Sequence, residues 1–375
     1  MADRDSQGSE KLIHILFVGA GAVGCFYASR LHHPERGIHT SLTARSNYSV
    51  IASSGVALQT HSFGDYTFTP YAVFPSVPAA VPGAPSSTSP APSHVPPPQP
   101  PPNAGWDYIV VTTKALPDRT DDAAMIAPLV SSRTCIVLIQ NGVGVEEPYR
   151  ERFPRNPIIS AVTIISAEQI KQGTIKQNRW TRISLGPYCH GLGSSNTKTK
   201  GDEELTKRGH ECMNQLSHWW TDLGGIRDVE THTEMELQTI RWHKLCINAA
   251  FNPTAVLSGG RGNADQLEEP ELREHLSGIM HEIWHAAPKV LGKPFPESVA
   301  KPDRIIKSNE RNKGSKPSML LDWEAGRPME LEVILGNPVR IARRAGVEMP
   351  RLQSVYALLK SMQNVREKRK TSEKL

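Results

Sequence analysis

The hydrophobic pattern has two textures. From 13 to 187, short apolar runs of strand length recur between polar turns: IHILFV at 13–18, HTSLTAR at 39–45, WDYIVVTTKA at 106–115 and CIVLIQ from 135. IISAVTIISAEQ, GTIKQN and TRISLGP follow from 158, and their alternation predicts antiparallel strands joined by a turn at KQG. Helical spacing then takes over, with a helix near 204–223, a short extended piece IRDVETH, long helices over 233–290 and a final helical group over roughly 316–365. This order predicts an α/β protein. An N-terminal α/β domain spans 1–232 and an all-helical C-terminal domain spans 233–375.

One segment fits neither texture. Residues 75–105, PSVPAAVPGAPSSTSPAPSHVPPPQPPPNAG, are dense in proline and predict a disordered insertion between strands of the first domain. Composition adds limits. The 43 basic and 38 acidic residues leave a net charge of only +5, and the basic tail REKRKTSEKL has no aromatic-rich basic surface beside it, so no nucleic-acid partner is expected. Five cysteines without paired spacing point to a reduced compartment. No run approaches the ~18 apolar residues of a membrane span, and MADRDSQGSEKL is neither a secretory nor an arginine-rich transit signal. The expected location is cytoplasmic, with mitochondrial import left open. No cluster of cysteine with histidine accompanies the fourteen histidines, so no metal is expected.

Candidate chemistry begins at GAGAVG, where an apolar strand runs into Gly19, Ala20, Gly21, Ala22, Val23 and Gly24 and then into a helix. In that context Gly19 permits the tight turn, Gly21 a close approach of pyrophosphate, and Gly24 close helix packing; the alternative is a glycine-rich turn without a ligand. The next strand ends in Arg45, Ser46 and Asn47 where an NAD enzyme would carry an acid, which favours a 2′-phosphate and so NADPH. Lys114 and Asn141 follow two further strands and fall on the edge where a parallel sheet binds ligands. Lys114 reads equally as a solvated helix start, and Asn141–Gly142 as turn chemistry.

In RWHKLCINAAFNPTAV, Lys244, Asn248 and Asn252 recur every four residues, each advanced by about 40° around a helix. Pro253 is expected to break or kink that helix and leave Asn252 terminal.

GAGAVG, the strand-end Lys114, QNGVG, KQGTIK through SLGP, WHKLCINAAFNP and PSMLLDWEAGRPMELEVILG occur in the order found in one family. In them the chain resembles the ketopantoate reductases, or 2-dehydropantoate 2-reductases, among the 6-phosphogluconate-dehydrogenase-like Rossmann enzymes. The resemblance covers nearly the whole chain apart from its two ends, the proline segment and a polar loop near 190–204. It implies NADPH-dependent reduction of 2-dehydropantoate to pantoate, in pantothenate and coenzyme A synthesis. By position, Lys244 corresponds to the general acid, Asn248 and Asn252 to asparagines that orient the substrate, Ser318 to a substrate-binding serine and Glu330 to an active-site glutamate. Glu332 stands close enough to compete with Glu330. The six residues of GAGAVG with Arg45, Lys114 and Asn141 form the implied cofactor set. Asn263 matches a further substrate asparagine only with a one-residue shift, and GRPMELE lacks the threonine that often precedes the glutamate. The expected partner is a small keto acid, and the expected state a monomer or homodimer. Two other readings stay open: reduction of another branched keto acid, and a non-catalytic NADP-sensing interaction protein.

Overall fold

The computed structural model describes residues 12–83, 105–191 and 200–372. Its ten strands are β1 (Ile13–Val18), β2 (Ile38–Thr43), β3 (Val56–Thr60), β4 (Gly64–Phe68), β5 (Val73–Phe74), β6 (Tyr108–Val111), β7 (Cys135–Ile139), β8 (Ile158–Lys171), β9 (Thr174–Pro187) and β10 (Val229–Thr231). They form one sheet in the order β4-β3-β9-β8-β7-β6-β1-β2-β5, with β10 beside β9. The run from β5 through β2, β1, β6 and β7 to β8 is parallel. Its central members β6 and β7 are buried at every position, as strands covered on both faces must be. The chain reverses strand order around β1, so the carboxyl end of β1 opens into the crevice where such sheets bind ligands. The expected antiparallel pair is β8 and β9, joined at Lys171 and Thr174.

The helices are α1 (Ala22–Ser29), α2 (Tyr48–Ser54), α3 (Asp122–Ile126), α4 (Glu147–Arg152), α5 (Lys200–His218), α6 (Glu234–Leu257), α7 (Pro270–Leu291), α8 (Pro302–Asn309), α9 (Ser318–Glu324), α10 (Asn337–Arg344) and α11 (Pro350–Ser372). One apolar core lies on each face of the sheet, and a third is built from α6, α7, α9 and the segments after them. Among the described residues, every regular element after β10 is helical, and no helix is long and apolar enough to cross a membrane.

The start of α6 is set locally. Thr233 caps it in a reciprocal box with Glu236, whose carboxylate accepts from the Thr233 N–H at 2.9 Å. Its end differs from expectation, since α6 runs through Pro253 to Leu257 and Asn252 lies within it. An interior proline costs an isolated helix about 3 kcal/mol. Here residues 249–256 are all buried among neighbouring helices, and that packing outweighs the local penalty.

The proline segment also needs correction at its start. Residues 75–83 belong to the folded sheet domain: Val77 and Ala80 are buried, and the Ala80 carbonyl accepts from the Trp106 indole at 3.0 Å. The order expected to be missing from residue 75 onward is present there because these apolar side chains reach the core. Residues 84–104, like the beginning MADRDSQGSEK and residues 192–199 of the polar loop, lie outside the described residues.

Candidate active site

The glycine loop leaves β1 with Gly19 at φ +118, a conformation L side chains rarely adopt. Thr112, just after β6, donates its hydroxyl to the Gly19 carbonyl at 2.7 Å, and a Cβ on Gly24 would stand 2.3 Å from that carbonyl oxygen. Gly24 therefore permits the contact between α1 and the loop. In front of Gly21 a Cβ would meet nothing within 4 Å, and the first turn of α1 has neither a side-chain cap nor an acidic residue. Free amides facing open space at a helix N-terminus fit the phosphates of a dinucleotide. Arg45 is exposed beyond β2 with no ion-pair partner among the described residues, free to meet a further phosphate. Asn47 is not free: it is buried, donating to the Ala20 carbonyl at 3.0 Å and to Gln169 at 2.7 Å. It braces the loop instead of facing a ligand.

Lys244 lies across from this edge on α6. Its ammonium donates to Asn141 Oδ1 at 2.8 Å, over a separation of 103 residues. The Asn141 amide in turn donates to Glu330 Oε2 at 3.5 Å, and the other Glu330 oxygen accepts from the Ala115 N–H at 3.1 Å. Asn141 thus bridges Lys244 and Glu330. Burial, then the charge of Arg241, brings the Lys244 pKa down to about 8, against an opposing pull from Glu330. Glu330 is only 8% exposed, and burial raises its pKa, offset in part by the Ala115 N–H and Lys114. The competing carboxylate has other duties. Glu332 receives Arg340 and Lys360, each at 2.6 Å, and the Tyr356 hydroxyl, all away from Lys244. A π-helical turn over Glu332–Gly336 begins immediately after this segment.

One and two turns beyond Lys244 stand Asn248, partly buried, and Asn252, 6% exposed. Neither side chain makes a hydrogen bond among the described residues. Each amide can both donate and accept, so this face can hold a polar occupant. Ser318 is exposed at the first position of α9, which packs along α6. Asn263 donates its N–H to the Ser315 carbonyl at 2.9 Å and leaves Oδ1 buried and unpartnered, which brings it to the segment leading into Ser318. Lys114 forms an ion pair with Asp322, a residue 6% exposed that Arg327 also meets at 3.1 Å.

Three contributors escaped the sequence reading. Asp322 holds Lys114; Arg241 and Glu146 form a buried pair beneath the Asn141 loop, with Arg241 Nε 3.1 Å from Glu146 Oε1. Arg241 precedes Lys244 by three residues, a spacing that shares a helix face and is legible in the sequence. Nothing local connects Glu146 or Asp322 to the lysine.

Comparison with known proteins agrees with this geometry. Residues 15–189 match the family model described as ketopantoate reductase PanE/ApbA, and residues 236–363 match the one for its C terminal region. An uncharacterized protein of Saccharomyces cerevisiae is 28% identical, with 95% of each chain covered. A 2-dehydropantoate 2-reductase of Nostoc is 25% identical, over 92% of this chain and 93% of its own. The crystal structure of 2-dehydropantoate 2-reductase from Methylococcus capsulatus superposes with a TM-score of 0.72 at 32% identity, covering 94% of this chain and 98% of that one. The chain belongs to the ketopantoate reductase family of NADP-dependent oxidoreductases.

Proposed function

We propose that the protein reduces 2-dehydropantoate to pantoate with NADPH, supplying pantothenate and coenzyme A synthesis, and that Lys244 is the general acid. The observation that carries this reading is the Lys244–Asn141–Glu330 chain of contacts, continued along α6 by the amides of Asn248 and Asn252, which have no partner among the described residues. The division at 232/233 then separates the part that holds the cofactor from the part that supplies the acid. When bound, the reduced nicotinamide supplies a hydride to the keto carbon. Negative charge then grows on the carbonyl oxygen, and the Lys244 ammonium both stabilises that charge and donates the proton that completes the alcohol. A pKa of about 8 keeps the group charged at neutral pH yet makes it a stronger acid than an ordinary lysine. Asn248 and Asn252 offer donors for a carboxylate and acceptors for a hydroxyl, as a substrate carrying both requires. Ser318 and Asn263 line the opposite lip in this reading, and Glu330 acts through Asn141. Arg45 and Lys114 serve the cofactor phosphates and ribose. The setting is the cytoplasm, supported by buried thiols at Cys25, Cys135, Cys189 and Cys246.

A second substrate, another branched keto acid, is favoured by two features: the paired acid Asp322 stands beside Lys114, and the threonine that often precedes the glutamate is missing. The test is loss of NADPH absorbance with purified protein and a panel of keto acids. Ketopantoate is expected to give the highest kcat/KM, by about tenfold or more. A faster branched analogue would move the assignment to that acid, and no turnover with any member would sink the enzymatic reading.

A further inference from the structure

Arg241 is 3% exposed and lies one turn before Lys244 on α6. Its Nη1 donates to two carbonyls, Gln140 at 2.8 Å and Gly142 at 3.0 Å, and these flank Asn141. Its Nη2 donates to Ser160 Oγ at 2.6 Å and to the Ala161 carbonyl at 3.3 Å, both on β8. Glu146 is the counter-ion. The oxygen that faces Arg241 Nε at 3.1 Å also accepts from Ser160 Oγ at 2.6 Å and from Gln238 at 3.0 Å. The guanidinium is a rigid planar fork, so grasping both carbonyls fixes the peptide units on either side of Asn141 relative to α6. The same helix carries Lys244, so the fork sets the distance between the Lys244 amine and Asn141 Oδ1.

We propose that Arg241 is a positioning residue that holds Asn141 against Lys244, with Glu146 locking its guanidinium. This rests on the reading of Lys244 as general acid. A pair that served only to join the sheet to the helices would be replaceable by apolar side chains, often without loss of stability. Such a replacement would also spare the ammonium a buried like charge one turn away. The geometry instead places two of the guanidinium's contacts on the carbonyls that flank Asn141. Groups facing Lys244 are Arg241 from its own helix and Asn141 and Glu330 from across the cleft; Lys114 and Asp322 lie behind Glu330, and Glu146 behind Arg241. Among them Arg241 is the cation that pushes Lys244 down.

Three variants of the full chain test this: Arg241→Lys, Arg241→Gln and Glu146→Gln, each followed by the pH profile of kcat/KM and by NADPH fluorescence titration. Arg241→Lys keeps the charge and loses the fork. It is expected to lower kcat about tenfold or more, with the keto-acid KM and NADPH affinity within about threefold and the basic limb unmoved. Arg241→Gln is expected to move that limb up by about one pH unit, and Glu146→Gln to move it down. Opposite shifts are the signature, because damage to a structural joint lowers activity without displacing the limb. Loss of activity in all three with a fixed limb would overturn the proposal. If Arg241→Gln does not fold, unchanged kcat in Arg241→Lys together with a fixed limb in Glu146→Gln overturns it equally. Nitrogen-resolved NMR of the Lys244 amine reads the same shifts without turnover, so an inactive wild type would sink the catalytic reading while leaving the effect of Arg241 on Lys244 measurable.

Discussion

Lys244 makes the pH behaviour of the reaction specific. In the proposed reaction its ammonium is the proton source, and burial brings its pKa to about 8, so the acid form is lost as pH rises through that value. The rate of keto-acid reduction is expected to fall along a basic limb near pH 8; a limb near the ordinary lysine value, about 10.4, would mean that the group is not enclosed as described. Arg45 gives a second expectation. Exposed beyond β2 and without an ion-pair partner among the described residues, it should select the 2′-phosphate, so Arg45→Ala is expected to weaken NADPH by about tenfold or more in a fluorescence titration and NADH little. Equal losses would place the 2′-phosphate elsewhere. At this scale the sequence shows what lies within one turn or one motif: the glycine spacing and the four-residue row of Lys244, Asn248 and Asn252. It does not show that Asn141 meets Lys244 across 103 residues, or that Asp322 pairs with Lys114, because those contacts exist only after the sheet and helices close on each other.

Elements were most legible where burial is simple. The all-apolar runs at β6 and β7 announce central parallel strands, and the KQG turn announces the β8–β9 hairpin. The end of α6 was misread because the rule for proline is steric and local, whereas the packing that carries the helix past Pro253 comes from distant residues. A further property belongs to the amino-end edge of β1 and β2, away from the site. His14 and His39 stack there with ring centroids 5.8 Å apart, and His32 Nδ1 accepts from the Thr40 N–H at 3.1 Å. Burial, then neighbouring histidines His39 and His33, brings the His32 pKa down to about 4, against a small opposing pull from Glu35. Burial and His39 lower His14 against Asp107, and burial lowers His39. A histidine depressed in the fold binds its proton more readily when unfolded. Its stabilising effect is therefore complete above about pH 6.5 and lost as pH falls toward 4. His32→Gln retains an acceptor for Thr40 without titrating, and is expected to flatten the acid side of a melting-temperature profile. An unchanged profile would show that carboxylates dominate acid unfolding.

The whole molecule is a sheet and a helical bundle joined at the candidate site. The Val143 N–H donates to the Val333 carbonyl at 2.9 Å, and Asn337 donates to the Val143 carbonyl at 2.9 Å, so the QNGVG loop is clamped to the segment after Glu330. A Cβ on Gly142 would lie 2.3 Å from the Val333 oxygen, which explains why that loop carries glycine there. Arg179 on β9 adds a contact to Asn312 at 3.0 Å, bringing the hairpin to the segment before α9. Composition located the proline segment, but not its true edge, since the alternation of small apolar residues with proline hides that Val77 and Ala80 are core. Deleting 88–100 is therefore expected to leave turnover within about twofold, whereas deleting 78–102 removes Ala80 from beneath Trp106 and should lower stability by about 1–3 kcal/mol in denaturant titration. Equal tolerance of both deletions would contradict the packing of 75–83. The central claim is that this joint delivers a proton from Lys244 to the reduced substrate. Its most direct test compares ketopantoate-dependent NADPH oxidation by wild type and Lys244→Ala, with NADPH binding measured alongside. The account predicts that turnover falls by about 10²–10⁴-fold while NADPH still binds; a variant that reduces ketopantoate at the wild-type rate would contradict it.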